Sequence, residues 1–281
     1  SYQYPVETYT TNIIGTMNVL ETVRHTPSVR TVVTITSDKC YQNQEWVWGY
    51  RENETLGGRD PYSSSKACAE IVIAAYRDSY FSAADYERHR VAIASARAGN
   101  VIGGGDWATD RLIPDIMRSF MMGRSVLIRN PHAIRPWQHV LQPLSGYLCL
   151  AERLWKDGLP YAEAWNFGPN DEDAKPVAWI VEQLSKLWGK GATWELDVAA
   201  HVHEDNYLKL DCSKAKAKLG WQPKLSLEQT LEWIVEFYHS YLKNENIREI
   251  VENQIERYQS LEENSLLSRS LITPTTVLSV N

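Results

Sequence analysis

Apolar residues recur at helical spacing from Pro5 to Thr26, as Ile13, Ile14, Met17, Leu20 and Val23, and Pro5 suits a first turn. The pattern then changes character. Residues 31–36, TVVTIT, form a continuous β-branched run that breaks into Ser37-Asp38-Lys39-Cys40-Tyr41, which reads as a buried strand of a parallel sheet followed by a turn. Pro61-Tyr62-Ser63-Ser64-Ser65-Lys66 and the helix-prone ACAEIVIAAY predict a helix to near Phe81. VAIASAR is a second buried run, ending at Arg97 and leading into Gly99-Asn100 and the cluster Gly103-Gly104-Gly105. Further helices are predicted over Arg111–Gly123, Leu141–Lys156, Val177–Trp188, Ser213–Leu219 and Ser226–Leu242, with SVLI and AWNFG as short strands. From Asn244 an acidic helix leads to a Ser/Thr-rich tail, and the chain has no internal repeats. The long polar segment from Gln42 to Asp60, with Trp46, Trp48 and Gly57-Gly58, reads as a functional loop. Its tryptophans either cover a sugar or base, or pack against a neighbour.

Open α/β sheets bind ligands beyond the carboxyl ends of their strands, where the cluster after Thr36 would sit. Tyr62 and Lys66 are four apart and share one helix face. A bare Y-x-x-x-K is usually a surface pair. Here a strand precedes it, Ser37 stands at the strand's end, and about 25 residues separate Ser37 from Tyr62. A free tyrosine, with a pKa of about 10, is a poor base at neutral pH. Positive charge beside it favours the phenolate and makes it a usable proton acceptor.

With these residues the chain resembles the extended short-chain dehydrogenase/reductase superfamily, whose signature is Ser/Thr, Tyr and Lys in this layout. Ser37-Asp38-Lys39 falls where the nucleotide-sugar 4,6-dehydratases carry Thr-Asp-Glu. Lysine in the third position, within T-S-D-K-C-Y, is similar to the members that act on CDP-glucose. The resemblance runs from Ser1 to about residue 240. It implies a Rossmann-like, doubly wound parallel α/β sheet with a smaller, discontinuous C-terminal substrate lobe. Residues 1–110 would be the remainder of an NAD-binding domain, with segments around 126–150 and 163–190 returning to it; 111–243 would be mainly the substrate lobe, and 244–281 a helix and tail. The superfamily's G-x-x-G-x-x-G loop and acidic ribose-binding residue are not in this sequence. Gly103-Gly104-Gly105 opens no helix and fails the context of that fingerprint. The expectation is that about 75–80 residues of the family layout, roughly a first half-Rossmann, lie upstream.

By the same resemblance NAD would be bound through Asn12, Thr36, Tyr62 and Lys66. Asn12 lies in an N-x-x-G-T segment with Gly15 and Thr16, although a polar residue on a half-buried helix explains it equally well. Ser37, Asp38, Lys39, Tyr62 and Lys66 would be catalytic. Ser1, Asn100, Arg111, Leu112 and Arg135 would hold the nucleotide sugar, with Glu204 or Tyr207 near the nucleotide. Arginine is the expected donor for a diphosphate. The family's R-D-W appears as Arg135-Pro136-Trp137, so the aspartate is lost. The implied reaction converts CDP-glucose to CDP-4-keto-6-deoxyglucose, as in deoxysugar and lipopolysaccharide biosynthesis, by a cytoplasmic homo-oligomer (dimer or tetramer). Lysine for glutamate raises a difficulty, since an ordinary lysine with a pKa of about 10.4 is protonated at pH 7. Desolvation would lower it and a charged Asp38 would raise it, leaving a base or an acid and electrostatic role open.

Composition narrows the alternatives. The 281 residues are 43% hydrophobic and 23% charged, as in a soluble globular protein. A net charge of −6, with no basic stripe, argues against a general nucleic-acid or membrane binder. Cys40, Cys68, Cys149 and Cys212 are widely spaced, which suits reduced thiols. His201-x-His203-Glu204-Asp205 lacks a third ligand at standard spacing, so no metal is expected. A UDP-sugar 4-epimerase and a non-catalytic NAD-binding module are the rival readings. The first needs no Asp38-Lys39 pair, and the second needs no Ser37-Tyr62-Lys66 set.

Overall fold

The computed structural model describes residues 1–198 and 207–270, with side chains described to residue 261. Helix α1 (Pro5–Tyr9), a π-turn at Thr10–Ile14 and α2 (Gly15–Arg24) run on as one helical rod. Strand β1 (Thr31–Ile35) follows, and after the long loop come α3 (Pro61–Ser79), α4 (Tyr86–His89) and β2 (Ala92–Ala98). The next stretch holds β3 (Val101–Ile102), α5 (Leu112–Met121), β4 (Val126–Ile128), β5 (Ile134–Pro136), β6 (Gln138–His139) and α6 (Leu141–Lys156). Strand β7 (Ala164–Phe167), β8 (Ala174–Pro176), α7 (Val177–Trp188) and β9 (Trp194–Leu196) lead to a π-turn at Ala215–Leu219. Helices α8 (Leu227–Leu242) and α9 (Ile247–Ser270) close the described chain.

The main sheet has the order β1-β2-β7, all parallel, in register from Thr31↔Ala92 and from Ser95↔Ala164. Successive strand side chains point to opposite faces, and β2 uses both. Ala92, Ala94 and Ala96 pack with Leu150 and Leu154 of α6 and with Trp165. Ile93 packs the other way, against Leu20 and Val23 of α2 and Ile73 of α3. Because helices cover both faces, β2 reads as one apolar run rather than an alternation. Its two exceptions, Ser95 and Arg97, face α3, where Glu70 accepts from the Ser95 hydroxyl and from Arg97 Nη2.

A second core lies between α5, α7 and α8, built on Ile113, Ile116, Met117, Ile180, Leu184, Leu231 and Ile234. It explains the glycine cluster. A Cβ at Gly104 would collide with the Phe237 ring of α8, and Gly105 sits at φ +83°, a conformation that favours glycine. Close packing and a left-handed turn account for both residues, with no phosphate cradle.

Helix α3 begins where the site needs it. Asp60 caps it, its Oδ1 accepting from the backbone N–H of Tyr62 at 2.9 Å and of Ser63 at 3.1 Å. Ser63 answers through its side chain to complete a capping box, and Pro61 fills the first helical position. Tyr62 is thereby fixed in the first turn.

Candidate active site

At the carboxyl end of β1 the chain passes through Thr36 and Ser37 into a 3-10 turn, Asp38–Cys40. Ser37 Oγ accepts from the Lys39 N–H at 3.2 Å and donates to Asp38 Oδ1 at 3.1 Å. Asp38 is buried, and its Oδ2 has no hydrogen-bond partner among the described residues. Its carboxyl lies against the backbone of Gly99, where any Cβ would strike it and press on the Pro136 ring. Burial pushes Asp38 above the usual carboxylate range, outweighing the pull of Lys39, the Ser37 hydroxyl and Arg135.

Tyr62 opens onto the same space. Burial holds its phenol above the ordinary value, while a hydrogen bond with Ser37 and the charge of Arg111 pull it down. Lys66 stands behind it, Nζ 6.0 Å from the centre of the Tyr62 ring. Desolvation lowers the Lys66 ammonium, opposed by Cys40 and Glu70. The Arg111 charge thus favours the Tyr62 phenolate, and Arg111 borders the same cleft. At the α3 cap, partial burial pushes Asp60 up, but its bonds to Ser63 and Tyr62 and the nearby Lys39 charge leave it below the usual range. The Lys39 charge thus favours the ionised form of both Asp38 and Asp60.

These residues share a cleft of about 580 Å³. Thr36, Ser37, Asp38, Lys39 and Tyr62 form one wall, with Asn100, Arg111, Leu112 and Arg135 on the others. Arg135 is buried on β5, its Nη1 donating to the Ile134 carbonyl at 3.0 Å. Lys66, Asn12 and Ser1 do not border the cleft. Asn12 sits in the π-turn and donates to Ser65 Oγ at 2.8 Å, and Ser65 in turn donates to the Tyr62 carbonyl at 2.7 Å. Ser1 is exposed at the first position of the chain.

Trp46 and Trp48 stand elsewhere. Trp46 stacks on Tyr50, and both tryptophans line a separate hollow of about 680 Å³ with Arg51, Asn170 and Asp211. Tyr207 bridges to Ile134 and does not border the cleft. His201, His203, Glu204 and Asp205 lie outside the described residues. Among the described residues no cluster of His, Cys, Asp and Glu is arranged to hold a metal, and no helix is long and apolar enough to cross a membrane.

The sequence did not reveal a buried network behind this wall. Glu70, one turn past Lys66, accepts from Thr36 Oγ1, from Ser95 Oγ at 2.7 Å and from Arg97 Nη2 at 2.8 Å. Arg97 Nη1 donates to Tyr41 OH at 2.7 Å and to the Glu52 carbonyl at 3.0 Å. Tyr41 OH donates to Asn166 Oδ1 at 2.7 Å. Burial raises Glu70, but Arg97 and the two hydroxyls more than offset it and keep it ionised. The only sequence signal was a glutamate four residues after Lys66 on the same helix face.

The state of Asp38 has a measurable consequence. Its folded value lies above its unfolded one, so its stabilising contribution is complete below the ordinary carboxylate range and is lost as pH rises through the folded value. Asp38→Asn should raise Tm at pH 8 by a few degrees, and the gain should vanish near pH 4. Differential scanning calorimetry at both pH values checks this; a gain that grew toward acid pH would contradict the assignment.

A parallel sheet with a strand-end serine and a tyrosine–lysine helix beside it defines a Rossmann-like enzyme fold of the dehydrogenase type. Residues 1–164 match the model of the NAD dependent epimerase/dehydratase family, and the chain belongs to that family. A CDP-glucose 4,6-dehydratase of Salmonella typhimurium is 56% identical over 260 residues, covering 92% of this chain and 72% of that protein. Among solved structures, a dTDP-glucose 4,6-dehydratase from Bacillus anthracis in complex with NAD superposes with a TM-score of 0.68 at 26% identity, covering 83% of this chain and 68% of that one. A UDP-glucose 4-epimerase from Thermotoga maritima shares the fold, with a TM-score of 0.69 at 21% identity over 85% of this chain and 73% of that one.

Proposed function

We propose that the chain is a nucleotide-sugar 4,6-dehydratase that converts CDP-D-glucose to CDP-4-keto-6-deoxy-D-glucose with NAD as a recycled cofactor. The observation that carries this reading is Asp38, a buried carboxyl opening onto the same cleft as Tyr62. A 4-epimerase needs a base at carbon 4 but no second proton-handling group for water loss. The relative named above supports CDP-glucose as the substrate.

Tyr62, with Lys66 behind it and Thr36 beside it, would hold the nicotinamide-ribose end of NAD, while the Asn12 amide is engaged by Ser65 beneath Tyr62. When bound, NAD supplies the acceptor for the hydride of carbon 4 and the donor that later reduces carbon 6. Ser37 holds the substrate's 4-oxygen and Tyr62 removes its proton. The resulting ketone acidifies the hydrogen on carbon 5. Asp38, pushed toward its neutral form, gives its proton to the hydroxyl leaving carbon 6. The carbon 5 proton must pass to a base and return to carbon 5 when carbon 6 is reduced; Lys39, which borders the cleft beside Asp38, serves either as that base or as an electrostatic aid to the acid. Asn100, Arg111 and Arg135 hold the diphosphate, two guanidiniums against its negative charge.

The test is product analysis with CDP-glucose, UDP-glucose, dTDP-glucose and GDP-mannose in parallel. A 4-keto-6-deoxy product from CDP-glucose, formed faster than from the others, is the expected result. Formation of a 4-epimer without water loss would sink the reading.

A further inference from the structure

The turn that carries Ser37, Asp38 and Lys39 is held at both of its ends by one ion pair. On its amino side Thr36 donates to Glu70, and on its carboxyl side Tyr41 receives a hydrogen bond from Arg97 at 2.7 Å. Glu70 and Arg97 join each other at 2.8 Å, with side chains only 3% and 4% exposed. Glu70 belongs to α3, the helix that carries Tyr62 and Lys66. The loop between turn and helix, 42–60, is tied to the same assembly: Tyr50 is buried, the Gly57 N–H donates to the Cys40 carbonyl at 2.9 Å, and Arg97 Nη1 also donates to the Glu52 carbonyl. We infer that the Glu70–Arg97 pair is a clamp fixing the Ser37–Lys39 turn against the Tyr62–Lys66 helix, which makes Glu70, Arg97 and Tyr41 positioning residues for the reaction.

This inference rests on the dehydratase reading and adds a division of labour to it. The helix supplies the base for oxidation at carbon 4, and the turn supplies the groups for water loss. A sugar can meet both in succession only if turn and helix keep one spacing. A buried ion pair is weak as a stabilising device, since desolvation consumes most of its attraction. Its geometry, however, is directional. Both terminal nitrogens of Arg97 and both carboxylate oxygens of Glu70 have hydrogen-bond partners, and Tyr41 passes the chain on to Asn166 of β7. Loosening this arrangement should spare the binding of the sugar nucleotide, whose arginines lie on other elements, and should disturb the handover between the two steps.

The experiment uses two variants. Tyr41→Phe cuts one end of the clamp and leaves the ion pair intact. Glu70→Gln/Arg97→Met removes both charges, so that neither is stranded. In Tyr41→Phe, kcat should fall about 10-fold, the scale expected for a small misplacement of catalytic groups. KM should stay within about 2-fold, because the diphosphate contacts are untouched. The steady-state fraction of enzyme-bound NADH, read by absorbance, should rise, because elimination lags behind oxidation. The double variant should show the same signature more strongly. A purely structural pair would lower Tm and leave kcat and the NADH fraction unchanged at a temperature where the variant is folded, and that result overturns the proposal. So does a loss confined to KM. If the double variant does not fold, Tyr41→Phe decides alone. Wild-type protein that forms no 4-keto-6-deoxy product refutes the dehydratase reading; wild-type turnover with an unaltered Tyr41→Phe refutes the clamp.

Discussion

Tyr62→Phe is expected to lower kcat about 10²–10⁴-fold, the usual cost of losing a general base, with KM for the sugar nucleotide nearly unchanged. The substitution keeps the ring and removes only the hydroxyl. Asp60 caps the helix through backbone N–H groups, so α3 should start at the same place. Ser37 keeps its bond to Asp38 and loses only its phenol partner. Since oxidation at carbon 4 comes first, adding substrate to this variant should produce no NADH absorbance. Stopped-flow absorbance and steady-state rates check both points, and near-normal turnover would show that another group is the base.

Lys39→Ala is expected to give the opposite signature. Product formation should fall by about 10²-fold, while Tyr62 still permits oxidation and NADH builds up on the enzyme. Lys39 borders the cleft beside Asp38, one residue from Ser37, and its removal leaves the carbon 4 groups in place. Exchange of the carbon 5 hydrogen in heavy water separates the two roles left open. Slowed exchange assigns Lys39 as the base, whereas retained exchange with blocked water loss assigns it as the acid or an electrostatic aid. Undiminished product formation would remove Lys39 from the reaction and move the epimerase reading ahead.

The elements were largely legible because their signals are local. Helices over Leu141–Lys156 and Val177–Trp188 lie where the apolar spacing predicted them, and the strand runs at 31–36 and 91–97 lie in one parallel sheet. The helix from Pro5 ends at Arg24, short of Thr26, and that from Arg111 at Met121, short of Gly123, which follows its end at φ +62°. The cleft wall from Thr36 to Lys39 was legible for the same reason, since four of its members are consecutive in the chain. The clamp was not. Glu70 looks like a polar residue on an amphipathic helix and Arg97 like the end of a strand, and their pairing depends on how α3 lies across β2. The burial of Asp38 was hidden as well, since it depends on Gly99 and Pro136 from distant parts of the sequence. The tryptophans of the long loop had pointed equally to ligand or neighbour, and Trp46 stacks on Tyr50.

The π-turn at Thr10–Ile14 separates two kinds of change that evolution can make. A π-turn holds about one residue more than an α-turn, so it absorbs a single-residue insertion without rotating the helix beyond it. Leu20 and Val23 therefore keep their place on the sheet whether or not the extra residue is there. Its loss would restore a uniform α-helix and carry off only the reach of Asn12 to Ser65, beneath Tyr62. This segment can gain or shed a contact to the catalytic helix by one codon, with the core left intact.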